Sequence, residues 1–418
     1  MSDELSTELK LIALQAEANC FEEFKNIEQT VSSNCQKLWH GFRSLEVSSS
    51  DFNGSTGYGY DDYGREKLEK VFCHVFKTEA ALVRWNFMSG THAIACVLQG
   101  VLKSGDQMLS LTGLPYDTLH SVIGLRPTRG SLQDTGVIYK WMEMRDEGIN
   151  YADIERYVNK ETKLVHIQRS RGYSVRKALS IEEIRKATTI VKTICPEAII
   201  FVDNCYGEFT NVLEPTEVGA DVIAGSLIKN PGGGIAPTGG YICGNHEIVE
   251  RAASRLTAPG IGGEIGCTLG INRLLYQGFY LAPFVTGEAL KCAVYAANLA
   301  TLLGYTIFPN IKTVRGDIVQ AIQFPDEATL IAFCQGVQAG GCVDSHISPI
   351  PGAMAGYEDL IIMASPGFIS GSSIDISCDA PLRKPYIAYY QGGMSFHYGK
   401  LAILSGFQEI MRRGTIII

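Results

Sequence analysis

Short apolar runs alternate along this chain with stretches in which apolar positions recur every three or four residues, and that alternation predicts strands separated by helices. The runs begin near residues 81, 107, 137, 163, 198, 222 and 239. All but the last two are separated by at least a crossover's length. The pattern therefore predicts a mainly parallel seven-stranded sheet with helices on both faces, and the run 239–244 as an antiparallel edge strand. Ahead of it, Phe21, Phe24, Ile27, Val31, Cys35 and Leu38 recur at steps of three and four and draw one apolar stripe on a helix. That stripe docks either on the chain's own large domain or on a second subunit. After a helical stretch over 260–303, shorter strand and helix signals return from residue 306. The expected division is a helical arm over 1–50, a large α/β domain over 51–300 and a smaller α+β domain over 301–418.

The breaks in this pattern carry the candidate chemistry. The run 222–228 ends at Lys229, and Pro231, Pro237 and a cluster of glycines forbid its continuing as strand or helix. Lys229 is thereby placed on a loop at a strand's carboxyl end, where open α/β sheets bind ligands. It is either a surface lysine or a nucleophilic amine, and the second requires that it be desolvated or held as an imine. Asp203 ends the apolar run 198–203, and an acid there is costly without a cationic partner. One crossover separates it from Lys229, so in a parallel sheet the two face one crevice.

Ser89-Gly90-Thr91 follows a strand and opens a helix, an arrangement whose free amides and dipole suit a phosphate, although an N-cap serine needs no ligand. Tyr116 lies just past another strand end, where its ring either stacks on a planar ligand or fills a turn. Tyr58, Tyr60 and Tyr63 sit on a Gly/Ser/Asp-rich loop, as binding groups or as turn residues. The lysine precedes the glycines and no GxxxxGK[ST] or GxGxxG is present, which argues against ATPase and dinucleotide loops.

Composition narrows the partners. A chain of 418 residues with 46% hydrophobic and 19% charged residues is an ordinary globular protein with a large core. A net charge of -8 argues against nucleic acid or an anionic membrane and favours a small-molecule partner. Twelve cysteines without a CxxC pair indicate no zinc cluster or redox motif and read as free thiols in a reducing compartment. No apolar run spans a membrane and the acidic start is unlike a signal peptide, so the expected location is the cytoplasm.

The stretches 58–69, 87–94, 113–119, 201–209, 225–244 and 379–396 together resemble pyridoxal-phosphate enzymes of fold type I, in the group of cystathionine and methionine γ-lyases. The nearest likeness is to the bacterial methionine γ-lyase-like family often labelled aluminium resistance proteins. The resemblance implies a three-layer, aspartate-aminotransferase-like large domain and a cofactor, pyridoxal 5'-phosphate. It implies that Lys229 carries the cofactor as an imine, that Asp203 binds the pyridinium nitrogen and that Tyr116 stacks on the ring. Gly90 and Thr91 amides and the Ser226 hydroxyl would hold the phosphate, joined by Tyr58 or Tyr60 from a neighbouring subunit, and Arg383 would pair with the substrate carboxylate. A homo-oligomer follows, at least a dimer and commonly a tetramer.

The implied reaction is elimination at a sulfur-bearing amino acid, β or γ, giving thiol, 2-oxo acid and ammonia. Transamination, side-chain exchange and a stress protein with little turnover are the alternatives. The chain departs from the family where a Tyr-x-Arg clamp reads Tyr58-Gly59-Tyr60, with Arg65 as the nearest substitute, and where a Pro-Thr-Asn-Pro turn reads Arg169-Ser170-Arg171-Gly172-Tyr173.

Overall fold

A computed structural model describes residues 5–144, 148–354 and 356–414. All seven predicted strands are present: β1 (Ala80–Arg84), β2 (Gln107–Ser110), β3 (Ile138–Trp141), β4 (Thr162–Gln168), β5 (Ile199–Asp203), β6 (Val222–Ser226) and β7 (Gly240–Gly244). They form one sheet in the order β1-β7-β6-β5-β4-β2-β3. Strands β3, β2, β4, β5 and β6 run parallel, and β7 is antiparallel to both of its neighbours.

The expected edge position of β7 is corrected by this order. The loop after β6 carries only a short helical turn, Asn230–Gly232, and no crossover helix, so the chain returns antiparallel beside β6, and β1 then pairs on the outer side of β7. Every residue of β7 is buried, as befits an interior strand. Because β1 and β6 both oppose β7, the carboxyl ends of β1, β2, β4, β5 and β6 share one edge of the sheet.

Alternate strand residues feed two cores, as the pleat requires. Ile200 and Val202 join one core with the helices Tyr63–Phe76 and Ile181–Ile194, while Phe201 joins the other with Gly90–Val101 and His246–Leu256. The helix Ile181–Ile194 begins with the reciprocal Ser180–Glu183 capping box that its sequence predicts. A long helix, Asn272–Leu302, contributes Leu275 to Ala282 to the first of these cores and its later residues to a third.

That third core underlies a five-stranded antiparallel sheet: β8 (Thr306–Phe308), β9 (Val319–Gln323), β10 (Ile361–Ala364), β11 (Ile376–Pro381) and β12 (Ile387–Gly392), ordered β10-β11-β12-β9-β8. The apolar stripe of the helix Phe21–Ser44 lies mainly on its own chain: Val31 meets Gly287, Phe24 packs on Phe396, and Leu38 is buried. Phe21, in contrast, is exposed. No helix among the described residues is long and apolar enough to cross a membrane.

Candidate active site

One cavity of about 270 Å³ lies at the shared carboxyl edge, roofed by residues of the second sheet. Gly90, Thr91, Tyr116, Asp203, Ser226 and Lys229, scattered over four segments of sequence, all line it. Each arrives there because a strand ends and the chain turns.

Past β1, Ser89 caps the next helix by accepting the His92 amide at 3.1 Å, which leaves the first amides of that helix, at Gly90 and Thr91, without helical partners. A side chain at position 90 would lie 3.2 Å from Cys205 Sγ and 3.3 Å from Ser226 Cβ, so glycine lets the helix start, the β5 loop and the β6 end converge without crowding. Ser226 is the last residue of β6 and is buried. Thr91 Oγ1 sits 2.8 Å from Thr118 Oγ1.

Lys229 follows β6 by three residues and opens a short helical turn, Asn230–Gly232. Its Nζ lies 3.9 Å from the centre of the Tyr206 ring. Tyr206 holds φ at +70°, the kind of backbone strain that folds tolerate at working sites. Burial alone pulls the Lys229 pKa down, but the surrounding Cys205, Tyr206, Asp203 and Glu208 outweigh it and leave the pKa raised. Burial also pushes the Cys205 thiol and the Tyr206 phenol up.

Asp203 ends β5 in register with Gln168 of β4, and its Oδ1 accepts the Cys205 amide at 3.1 Å. Gln168 in turn accepts the Tyr116 amide at 2.7 Å, fixing where that ring starts. Gly172 (φ +59°) lets the 169–173 loop pass Tyr116, since a Cβ there would meet the ring at 3.0 Å. Behind Asp203, His166 is pushed down to about 4 by complete burial, which the aspartate only partly offsets, so it is a neutral imidazole.

Two expected groups lie elsewhere. Tyr58 and Tyr60 are 68% and 64% exposed, with ring centres 5.5 Å apart, on a loop whose backbone is tied to residues 266–269 of the same chain. Arg65 is consumed by that loop: buried, it donates to the Gly59, Gly266 and Glu264 carbonyls at 2.8, 2.7 and 3.2 Å. Arg383 lines an adjoining cleft of about 620 Å³ that shares Tyr116 and Tyr173 with the cavity. Its guanidinium is half-exposed and pairs with Asp359 at 2.9 Å.

Of the arginines in the departing loop, Arg169 is structural, holding Asn204, Thr210, Asn211 and Glu214. Arg171 lines the cleft, buried, with Nε 3.5 Å from Asp317 and with Nε and Nη1 lacking hydrogen-bond partners among the described residues.

The second sheet and its loops add residues that sequence reasoning missed. Asp379 and Gln391, from β11 and β12, and Tyr357 all line the cavity with Tyr173. Burial pushes the Asp379 carboxyl up to about 6 against the pull of Ser377, Tyr173, Lys229 and Gln391. A signal was available: Asp379 is an acid inside an apolar run, which is the argument that found Asp203.

Comparison with known proteins agrees with this geometry. The family model for methionine gamma-lyase matches residues 9–411. The uncharacterized protein YnbB of Bacillus subtilis (strain 168) is 44% identical over 98% of both chains. The crystal structure of a carbon-sulfur lyase involved in aluminum resistance from Clostridium novyi NT superposes with a TM-score of 0.94 at 45% identity, covering 97% of each chain. A pyridoxal-5'-phosphate dependent protein from Escherichia coli, YhfS, shares the fold alone, with a TM-score of 0.60 at 15% identity over 93% of this chain and 97% of that one. From the strand-end lysine and aspartate to the second sheet that covers them, this chain belongs to the methionine gamma-lyase family.

Proposed function

We propose that the protein is a pyridoxal-phosphate-dependent carbon–sulfur lyase acting on a sulfur-containing amino acid. The observation that carries this is the meeting, in one cavity, of a half-buried lysine, a buried aspartate at the next strand end and the free amides of a helix start. Those groups fit the cofactor. Gly90 and Thr91 amides and the Ser226 hydroxyl would hold its phosphate, Asp203 its ring nitrogen, Tyr116 one face of its ring, and Lys229 is the amine to which it attaches. When bound, pyridoxal phosphate supplies an electron sink for the carbon that has lost its proton.

The chain's own residues do the rest. Lys229, once a free amine, is positioned to take the Cα proton. Tyr116, whose phenol burial drives well above its ordinary pKa, remains a proton donor over the leaving sulfur. Water is held back by the residues of the second sheet that roof the cavity.

The exposed tyrosines fit a site shared between copies of the chain. Tyr58 and Tyr60 point outward from a loop pinned by its own backbone, poised to reach a neighbour's phosphate site. An active, cofactor-loaded monomer in the ultracentrifuge would end that part of the reading. The unbonded sulfurs of Cys334 and Cys378, 3.9 Å apart, are in keeping with a reducing cytoplasm.

The decisive experiment compares the absorption spectrum of the purified protein with that of Lys229→Ala, then assays methionine, cystathionine and cysteine. A near-visible band that borohydride removes only in the wild type, with release of thiol and 2-oxo acid, supports the reading. Amino transfer to an added keto acid would make it an aminotransferase. A bound cofactor without turnover would leave a binding protein.

A further inference from the structure

The cavity contains one acid for which cofactor binding has no use. Asp379 is buried on β11, and three donors fix it: Ser377 Oγ at 2.8 Å on Oδ1, and Gln391 Nε2 at 2.9 Å and Tyr173 OH at 3.2 Å on Oδ2. Tyr173 stands beside Tyr116, ring centres 5.4 Å apart. The Tyr116 hydroxyl lies 2.6 Å from that of Tyr357. Hydrogen bonds thus join the Asp379 carboxyl to Tyr173 and Tyr116 to Tyr357, and the adjacent Tyr173 and Tyr116 rings bring the two pairs together, from the second sheet through a loop of the first to the ring expected above the reacting atoms.

We propose that Asp379 is a positioning residue that holds a proton and acts through Tyr173 on the Tyr116–Tyr357 pair, so that the line of hydroxyls protonates the departing sulfur. The inference rests on the lyase reading above. The C–S bond breaks with its electron pair on sulfur, and an S–H bond forms with the Tyr116 proton. Tyr116 regains a proton from Tyr173, and Tyr173 takes that of the Asp379 carboxyl. A proton from solvent then restores the carboxyl.

Burial is what pushes this carboxyl up, against the three hydrogen bonds it accepts. The titratable groups facing it are Tyr173 and Tyr206 from the first-sheet loops, Lys229 after β6, Tyr357 from the roof and Cys378 beside it, of which only Lys229 can be a cation.

The test uses two leaving groups in the loaded enzyme. An S-alkyl cysteine needs a proton on its departing thiolate, whereas β-chloroalanine expels chloride, which needs none. Asp379→Asn and Tyr173→Phe are each expected to slow thiol release by about 10²-fold, the lower range for a lost general acid, with chloride release changed by less than about threefold. Equal losses for both substrates would overturn the relay, because a merely structural role does not distinguish leaving groups.

A wild type that expels chloride yet frees no thiol from any thioether would sink the lyase reading instead. The relay is then judged in the cofactor-free protein from the ring-carbon NMR shifts of Tyr173 and Tyr116. These should share a step near pH 6 in the wild type and lose it in Asp379→Asn. No shared step in the wild type overturns the inference.

Discussion

The two halves of the cavity are built in different ways. The half from the seven-stranded sheet is made where strands stop: Asp203 closes β5, Ser226 closes β6, Lys229 follows it, and Gly90 opens a helix. The half from the five-stranded sheet is made within strands, where Asp379 and Gln391 project from runs that are otherwise buried and largely apolar. A site built at strand ends inherits its geometry from the backbone. A site built within strands depends on which side chains face it, so its chemistry can change while the fold stays.

The comparison is broken most directly at Asp203. Asp203→Asn would leave a neutral group where a charge would face the cofactor nitrogen, and removing one partner of a buried charge pair costs about 3–5 kcal/mol, or roughly 10²–10⁴-fold in cofactor affinity. Equilibrium dialysis against pyridoxal phosphate measures it. An unchanged affinity would mean that the strand-end half does not hold the cofactor at all.

A smaller effect is expected in the adjoining cleft, where two arginines compete for the substrate carboxylate. Arg383 already pairs with Asp359, whereas Arg171 is buried with unmatched N–H groups. Charged hydrogen bonds contribute about 1.5–3 kcal/mol, so Arg171→Gln should raise KM by about 10- to 100-fold with kcat little changed, and Arg383→Gln should do less. The reverse order would restore Arg383 as the carboxylate's partner.

How far each half could be read from the sequence follows from the same contrast. Lys229, Asp203 and Ser89-Gly90-Thr91 each interrupt a periodic run, and an interruption is visible locally. Asp379 carries the same local signal, an acid in a mostly apolar run, but Gln391 carries none, and neither shows what it does until its partners are known. Those partners are remote: Tyr173 lies far from Asp379 in the chain, and Tyr116 far from Tyr357. The misplaced strand β7 has the same origin. Its direction follows from a loop without a crossover helix, but its position depends on β1 pairing with it across most of the domain. Arg383 was assigned from a motif, and a motif does not reveal that Asp359 stands beside it.

The smallest effect expected concerns the scaffold behind the strand-end half. Glu208 is buried, with Oε1 2.8 Å from the Tyr241 hydroxyl, and burial pushes its carboxyl up to about 8. Its ordinary value is 4.5, so between pH 4.5 and 8 the folded protein keeps a proton that the unfolded chain gives up. Stability from this group is then complete at low pH and declines as pH rises toward the folded value, above which the loss is constant. Glu208→Gln removes the titration while keeping the shape. The melting temperature of the variant relative to wild type should therefore climb by a few degrees from pH 5 to pH 8, and subtraction cancels every other titrating group. A difference that stays flat over that range would mean that Glu208 is ionised in the fold, with Lys229 as its partner. The cavity would then hold its lysine between two carboxylates from the strand-end side, and the electrostatic distinction between its halves would vanish.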